Sequence, residues 1–128
     1  MRRKSTTLTE QELEIMKVVW ERDSATVRDV YEALLERRKV AYTTVMTMMK
    51  ILEQKQYLNK TLEDRAHVYC PTRPKNQVIR GMVREFVDRV FNGSAQPLLL
   101  HLVEDRCLTE KELRELERTI ASKPEKKS

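Results

Sequence analysis

Apolar residues recur at helical intervals over most of this chain and alternate with polar ones once, near its middle. Leu13, Met16, Val19 and Trp20 stand at i, i+3, i+6 and i+7, one face of a helix. Thr9 precedes them with Glu12 three residues on, a capping box that satisfies two amides at the helix start. Leu8 and Leu13 are placed to staple that cap. The spacing predicts a first helix over about 9–22, stopped at Asp23-Ser24, behind a basic, frayed tail of residues 1–8. Thr26, with Asp29 three residues later, caps a second helix. Its apolar face is Val27, Val30, Tyr31, Leu34 and Leu35, and it runs to about Arg38. Only three or four residues link the two helices, which is helix-turn-helix geometry.

A third helix is predicted over 41–56, capped at or just before Thr43. Val45, Met48, Met49 and Leu52 form its core side; Thr43, Thr47, Lys50 and Gln54 lie opposite, flanked by Thr44 and Met46. An exposed helix face ordinarily carries Glu and Lys. This one opens on threonines and methionine and holds no acid until Glu53. Polarity then alternates through Tyr57–Leu62 and Ala66–Cys70 across the turn Glu63-Asp64-Arg65, the mark of a β-hairpin, closed by Pro71 and Pro74. Three helices and a hairpin make a winged helix-turn-helix, with the third helix in the major groove and the hairpin as the wing beside it.

Beyond Pro74 the pattern changes. Val78, Ile79, Met82, Val83, Phe86, Val87, Val90 and Phe91 form an unbroken stripe over 76–91, stopped by Asn92-Gly93-Ser94 with Gly93 suited to the position after the cap. Pro97 opens a short helix through Leu98–Glu104. Thr109 and Glu112 begin a last one lined by Leu113, Leu116 and Ile120. These helices are too few for a core of their own, so a second copy is the expected cover, in the two-fold arrangement commonest for dimers. The dimerisation face is then Ile79, Met82, Val83, Phe86, Val90, Leu99, Leu102, Leu113, Leu116 and Ile120. The alternative is that these helices fold back on the winged helix. The expected fold class is mainly α: a winged helix-turn-helix at 1–72, a helical dimerisation domain at 73–122 and a charged tail at 123–128.

Charge sharpens this picture. The 128 residues carry a net charge of +5, but Glu10–Glu36 is net −5 while Arg37–Lys75 is net +6. The basic stretch spans the third helix and the wing and would attract phosphates there. Thr43, Thr44, Met46 and Thr47 are the candidates for base contact. Threonine hydroxyls bond either base type, and Thr and Met methyls pack on the thymine methyl, which suits an A·T-rich half-site. Arg65 at the hairpin tip is the candidate for the minor groove or a phosphate clamp. Arg38, Tyr42, Lys50 and Lys60 are candidates for the backbone, and so is Thr9 with the first amides of its helix. His67 and Cys70 have an H-x-x-C spacing, but strand alternation turns them to opposite faces, so no metal is expected. Cys107 falls in a short link between helices. No phosphate loop, nucleophile elbow or carboxylate pair occurs, so neither an enzyme nor a cofactor is expected. The longest apolar run, Leu98-Leu99-Leu100, falls far short of the roughly 20 residues of a membrane span. With no secretory signal and no C-x-x-C, a cytoplasmic protein is expected.

Four segments resemble the BlaI/MecI/CopY, or penicillinase repressor, family of bacterial transcriptional regulators. They are Leu13-Glu14-Ile15-Met16-Lys17-Val18-Val19-Trp20, Ala41-Tyr42-Thr43-Thr44-Val45-Met46-Thr47, Asp64-Arg65-Ala66-His67-Val68-Tyr69 and Phe91-Asn92-Gly93-Ser94. The resemblance covers about residues 8–120. It implies a homodimeric repressor that binds palindromic operator DNA, usually with TACA/TGTA-type half-sites. In antibiotic-responsive members, it implies a membrane sensor-protease as partner, which triggers cleavage in the dimerisation domain. The matching bond here joins His101 and Leu102, where those members carry Asn-Phe. The cysteine cluster of the copper-responsive branch is missing, so copper sensing is not expected. Ile51 stands where many members have a basic residue, and Gln56 where many have glycine. The competing reading is a winged helix that binds proteins without reading DNA; a face for that purpose more often shows large aromatics, and this one has only Tyr42.

Overall fold

A computed structural model describes residues 7–122, in the order α1 (Glu10–Arg22), α2 (Val27–Leu35), α3 (Tyr42–Gln54), β1 (Leu58–Glu63), β2 (Ala66–Pro71), α4 (Lys75–Phe91), α5 (Gln96–Glu104) and α6 (Glu110–Ser122). The tail expected at 123–128, and most of the one expected at 1–8, lie outside the described residues. Contacts divide the chain into two compact units, 1–82 and 83–128.

In the first unit the three helices and the hairpin enclose one core. Ile15, Met16 and Val19 of α1, Val30 and Leu34 of α2, and Val45, Met49 and Leu52 of α3 are each at most 1% exposed. Both expected capping boxes form. The Thr9 hydroxyl accepts from the Glu12 amide at 3.1 Å while the Thr9 amide donates to Glu12 Oε1 at 2.9 Å; Thr26 and Asp29 repeat the exchange at 3.0 Å in both directions. Asp23 ends α1 in the left-handed conformation, φ 70. The hairpin pairs Leu58 with Pro71 through Glu63 with Ala66. Asp64 and Arg65 are its two turn residues, both at positive φ (48 and 68), the backbone of a turn whose twist matches that of its strands. A third strand-like contact was not foreseen: Ala25 and Tyr69 exchange both backbone hydrogen bonds, at 3.0 and 2.8 Å. It anchors the link between α1 and α2 to the wing.

Several expectations are corrected. Leu8 is buried in the core rather than part of a frayed tail, as its role as a staple requires. α2 stops at Leu35 instead of Arg38, because the amides of Arg37 and Arg38 both turn back to the Leu34 carbonyl. Leu35, assigned to the apolar face, is 42% exposed; it sits about 100° around the helix from buried Leu34. α3 begins after Ala41, which offers no side chain to cap it.

The first unit runs on to Met82, past the boundary expected at 72. Thr72 ties the link down through its hydroxyl to the Gln56 carbonyl (2.7 Å) and its amide to the Tyr57 carbonyl (3.0 Å). The Arg73 carbonyl accepts from Trp20 Nε1 at 3.0 Å, and the Arg73 guanidinium lies 5.0 Å from the centre of the Tyr57 ring. Val78 then completes the core, and Met82 packs against it.

The second unit comprises the rest of α4, with α5 and α6. α4 ends as expected at Asn92 (φ 56) and Gly93 (φ 88), and the Gly93 amide reaches the Val87 carbonyl at 3.1 Å. Phe91 packs edge-on to Phe86 at 5.8 Å and lies 6.0 Å from His101. Pro97 occupies the first turn of α5, and Thr109 with Glu112 closes a capping box on α6. Val87 is buried, whereas Val83, Phe86, Val90, Leu99, Leu100, Val103, Leu116 and Ile120 are exposed in the single chain. No helix among the described residues is long and apolar enough to cross a membrane.

Candidate nucleic-acid interface

The side of α3 away from the core carries the residues singled out from the sequence. With Val45, Met49 and Leu52 sealed inside, Thr43, Thr44, Thr47 and Lys50 are exposed and Met46 is half-buried. Tyr42 opens the helix with its ring edge-on to Tyr31, 5.3 Å between centres and 77° between planes, which fixes the ring while leaving it 39% exposed. Along one flank runs a groove lined by Thr26, Val27 and Arg28 of the α2 start, by Tyr42, Met46 and Lys50 of α3, and by Lys60, Ala66, His67 and Tyr69 of the wing. Three cationic side chains face this groove, and no carboxylate is among its lining residues.

Buried polar contacts hold α3 at its angle. Lys55, just past its end, reaches Glu12 Oε1 at 2.9 Å and the Thr7 carbonyl at 3.5 Å, and Glu12 is the one charged residue buried among those described. Burial alone pushes the Glu12 carboxyl up. The Lys55 ammonium, by hydrogen bond and by charge, and the Thr9 amide and hydroxyl outweigh this and hold the carboxyl below its ordinary range. The Tyr69 phenol is pushed up, chiefly by burial and then by the charge of Glu53, so it stays protonated.

The backbone candidates divide in two. Lys50, Tyr42 and Arg65 stand exposed on α3 and the wing tip. The other three have local partners: Arg38 Nη2 pairs with Glu14 Oε1 at 2.8 Å, Lys60 Nζ with Glu53 Oε1 at 3.9 Å, and Thr9 is engaged by Glu12. Arg38 and then Arg37 hold the Glu14 carboxyl below its ordinary range. Sequence reasoning missed Arg28 and the groove as a unit, since the start of α2 and the wing meet only in the fold. Gln56, where the resemblance expects glycine, takes the left-handed φ of 70, so the turn into the wing keeps a glycine-like backbone. Ile51, where it expects a base, is 36% exposed on α3. His67 is exposed on the wing and Cys70 half-buried beyond it. His101 and Leu102 lie inside α5, so a protease cutting between them must first open that helix.

A three-helix core with a hairpin wing, presenting the acid-free start of one helix beside a cationic groove, defines a DNA-binding regulator of the winged-helix class. The family model for the penicillinase repressor matches residues 8–122, and the chain belongs to that family, whose members are transcriptional repressors and not enzymes. It is similar to the transcriptional regulator BlaI of Mycobacterium tuberculosis (strain CDC 1551 / Oshkosh), 40% identical over 103 residues covering 79% of this chain and 75% of that one. The penicillinase repressor of Bacillus licheniformis is 30% identical over 109 residues, 85% of each chain. Among solved structures, the DNA-binding domain of the repressor BlaI superposes with a TM-score of 0.51 at 31% identity, over 58% of this chain and 90% of that one. A mutant MarR from E. coli complexed with operator DNA superposes with a TM-score of 0.53 at 14% identity, over 89% and 74%; at that identity it shares the fold alone.

Proposed function

We propose that this chain is a homodimeric, cytoplasmic repressor that reads a palindromic operator through α3. The observation that carries this reading is the outward face of α3: small hydroxyl and methyl side chains where a solvated helix would carry charge. In the major groove Thr43, Thr44, Met46 and Thr47 meet base edges, the threonine hydroxyls bonding either base type and the methyls packing on thymine. Lys50, Tyr42 and the wing-tip Arg65 fix the register on phosphates. Arg38 and Lys60 join them by exchanging their carboxylate partners for phosphate, and Thr9 keeps its hydroxyl proton for the same use. Two copies joined through the second unit set their recognition helices about 34 Å apart, one turn of the duplex. The exposed apolar side chains of α4, α5 and α6 supply that joint. A cut at His101–Leu102 by a membrane sensor-protease would divide it.

The test is Thr47→Glu, which places a carboxylate against the base edges at an exposed position. Operator binding is expected to disappear while the circular dichroism and the dimer are unchanged. Binding at full strength would assign the reading to another element.

A further inference from the structure

The wing carries its charges on two faces, and the α3 reading leaves one of them without a task. Side chains alternate along paired strands, so Lys60 and Leu62 share a face with their cross-strand partners Tyr69 and His67. Thr61 and Glu63 project from the other. Lys60, His67 and Tyr69 line the groove together with Tyr42, Met46 and Lys50 of α3, so this face continues the α3 surface towards the wing tip. Leu62 is its outermost apolar side chain. At 65% exposure it is the most exposed large apolar residue among those described in the first unit.

A lone exposed leucine is ordinary; its setting is not. Leu62 stands opposite His67 and three residues before Arg65, which holds φ 68 without being glycine. A turn that had only to reverse the chain would take glycine there, and a side chain kept in that conformation at a cost points to a use for it. Glu63 on the far face and Asp64 at the apex repel phosphates from those sides. The approach left to DNA is the face of Lys60, Leu62 and His67, with Arg65 at its end.

We infer that Leu62 and Arg65 read the minor groove flanking the half-site. The Arg65 guanidinium enters the narrow, strongly negative groove of an A·T-rich flank. Leu62 packs against the sugar walls and base edges, where the 2-amino group of guanine would obstruct it. This rests on the DNA-binding reading of α3 and adds a preference that α3 does not supply.

The experiment uses the full chain and an operator selected from a random duplex pool, rebuilt with flanks of A·T, G·C or inosine·C pairs. Inosine lacks the 2-amino group, so its pair with C shows the minor groove of A·T and the major groove of G·C. A·T and inosine·C flanks are expected to bind alike, and about tenfold tighter than G·C, within the range of a single unfavourable pair. Leu62→Ser is expected to keep the half-site and lose most of that preference. Equal binding to inosine·C and G·C flanks, or an undiminished preference in Leu62→Ser, overturns the inference. Thr47→Glu measured alongside separates the two readings: if it leaves half-site binding intact, the α3 reading fails, whereas its loss of binding with an indifferent wild-type flank response overturns only the role of the wing.

Discussion

Glu12 shows what a single residue does for the recognition surface. It caps α1 and anchors Lys55 beyond the end of α3, so one carboxylate fixes the angle between two helices. Its capping partner is legible in the sequence as Thr9 three residues earlier; Lys55 is not, because 43 residues separate the pair and no local pattern encodes the contact. The same limit hid Ile15, which falls outside the i, i+3, i+7 series yet is 1% exposed because α1 is covered from two sides. Glu12→Gln is expected to cost about 1–3 kcal/mol, as for a buried hydrogen bond to a charged group. Because its folded carboxyl is held below the ordinary range, its contribution is complete above that range and disappears as the pH falls through the lower folded value. Denaturant titrations from about pH 6 to about pH 3 are therefore expected to show wild type losing more stability than Glu12→Gln. Parallel curves would contradict this account of the pair.

The elements were legible wherever caps and periodicity agreed. α1 and α2 begin where their capping boxes predict, and the wing turns at the polar residues between its two alternating runs. The bridge between Ala25 and Tyr69 left no trace, since a single pair has no periodicity. The boundary at 72 was drawn at Pro71 and Pro74, but prolines mark an end of regular structure and not an end of contact: Thr72 and Arg73 are bonded into the first unit. α3 is exceptional in starting at Ala41 with φ −89 and ψ 143, cap geometry without a capping side chain. Ala41→Ser is expected to stabilise the protein by about 1 kcal/mol, the usual worth of an N-cap, with operator affinity retained. Ala41→Asp is expected to stabilise it similarly and to weaken DNA binding, because it adds a negative charge to the phosphate-facing end of α3. Thermal melts and operator titrations on both variants check the split. A loss of stability in both would mean that the start of α3 is already satisfied.

At the scale of the whole molecule, the second unit has more apolar surface than it covers. Phe86, Val90, Leu99, Leu116 and Ile120 are 40–73% exposed in the single chain, and an area of that kind ordinarily marks an interface. The stripe along α4 was legible from spacing alone; its division between the units was not, since Val78 and Met82 join the first core while Val83 onward do not. Phe86→Asp is expected to give a monomer by light scattering at micromolar concentration, with the winged helix still folded. Operator affinity is expected to fall by about a hundredfold or more, as two half-sites cease to be bound together. A variant that stays dimeric would place the interface elsewhere.

The most direct test of the central claim is the binding of the full chain to the DNA upstream of its own gene, titrated across salt with a scrambled competitor, for wild type and Thr47→Glu. The wild type is expected to prefer its operator by about a thousandfold or more over bulk DNA, with affinity falling steeply as salt releases the phosphate contacts. Thr47→Glu is expected to retain only weak, sequence-blind binding. A wild type that binds both DNAs equally, or a Thr47→Glu that keeps the preference, would contradict the claim that the outward face of α3 reads an operator.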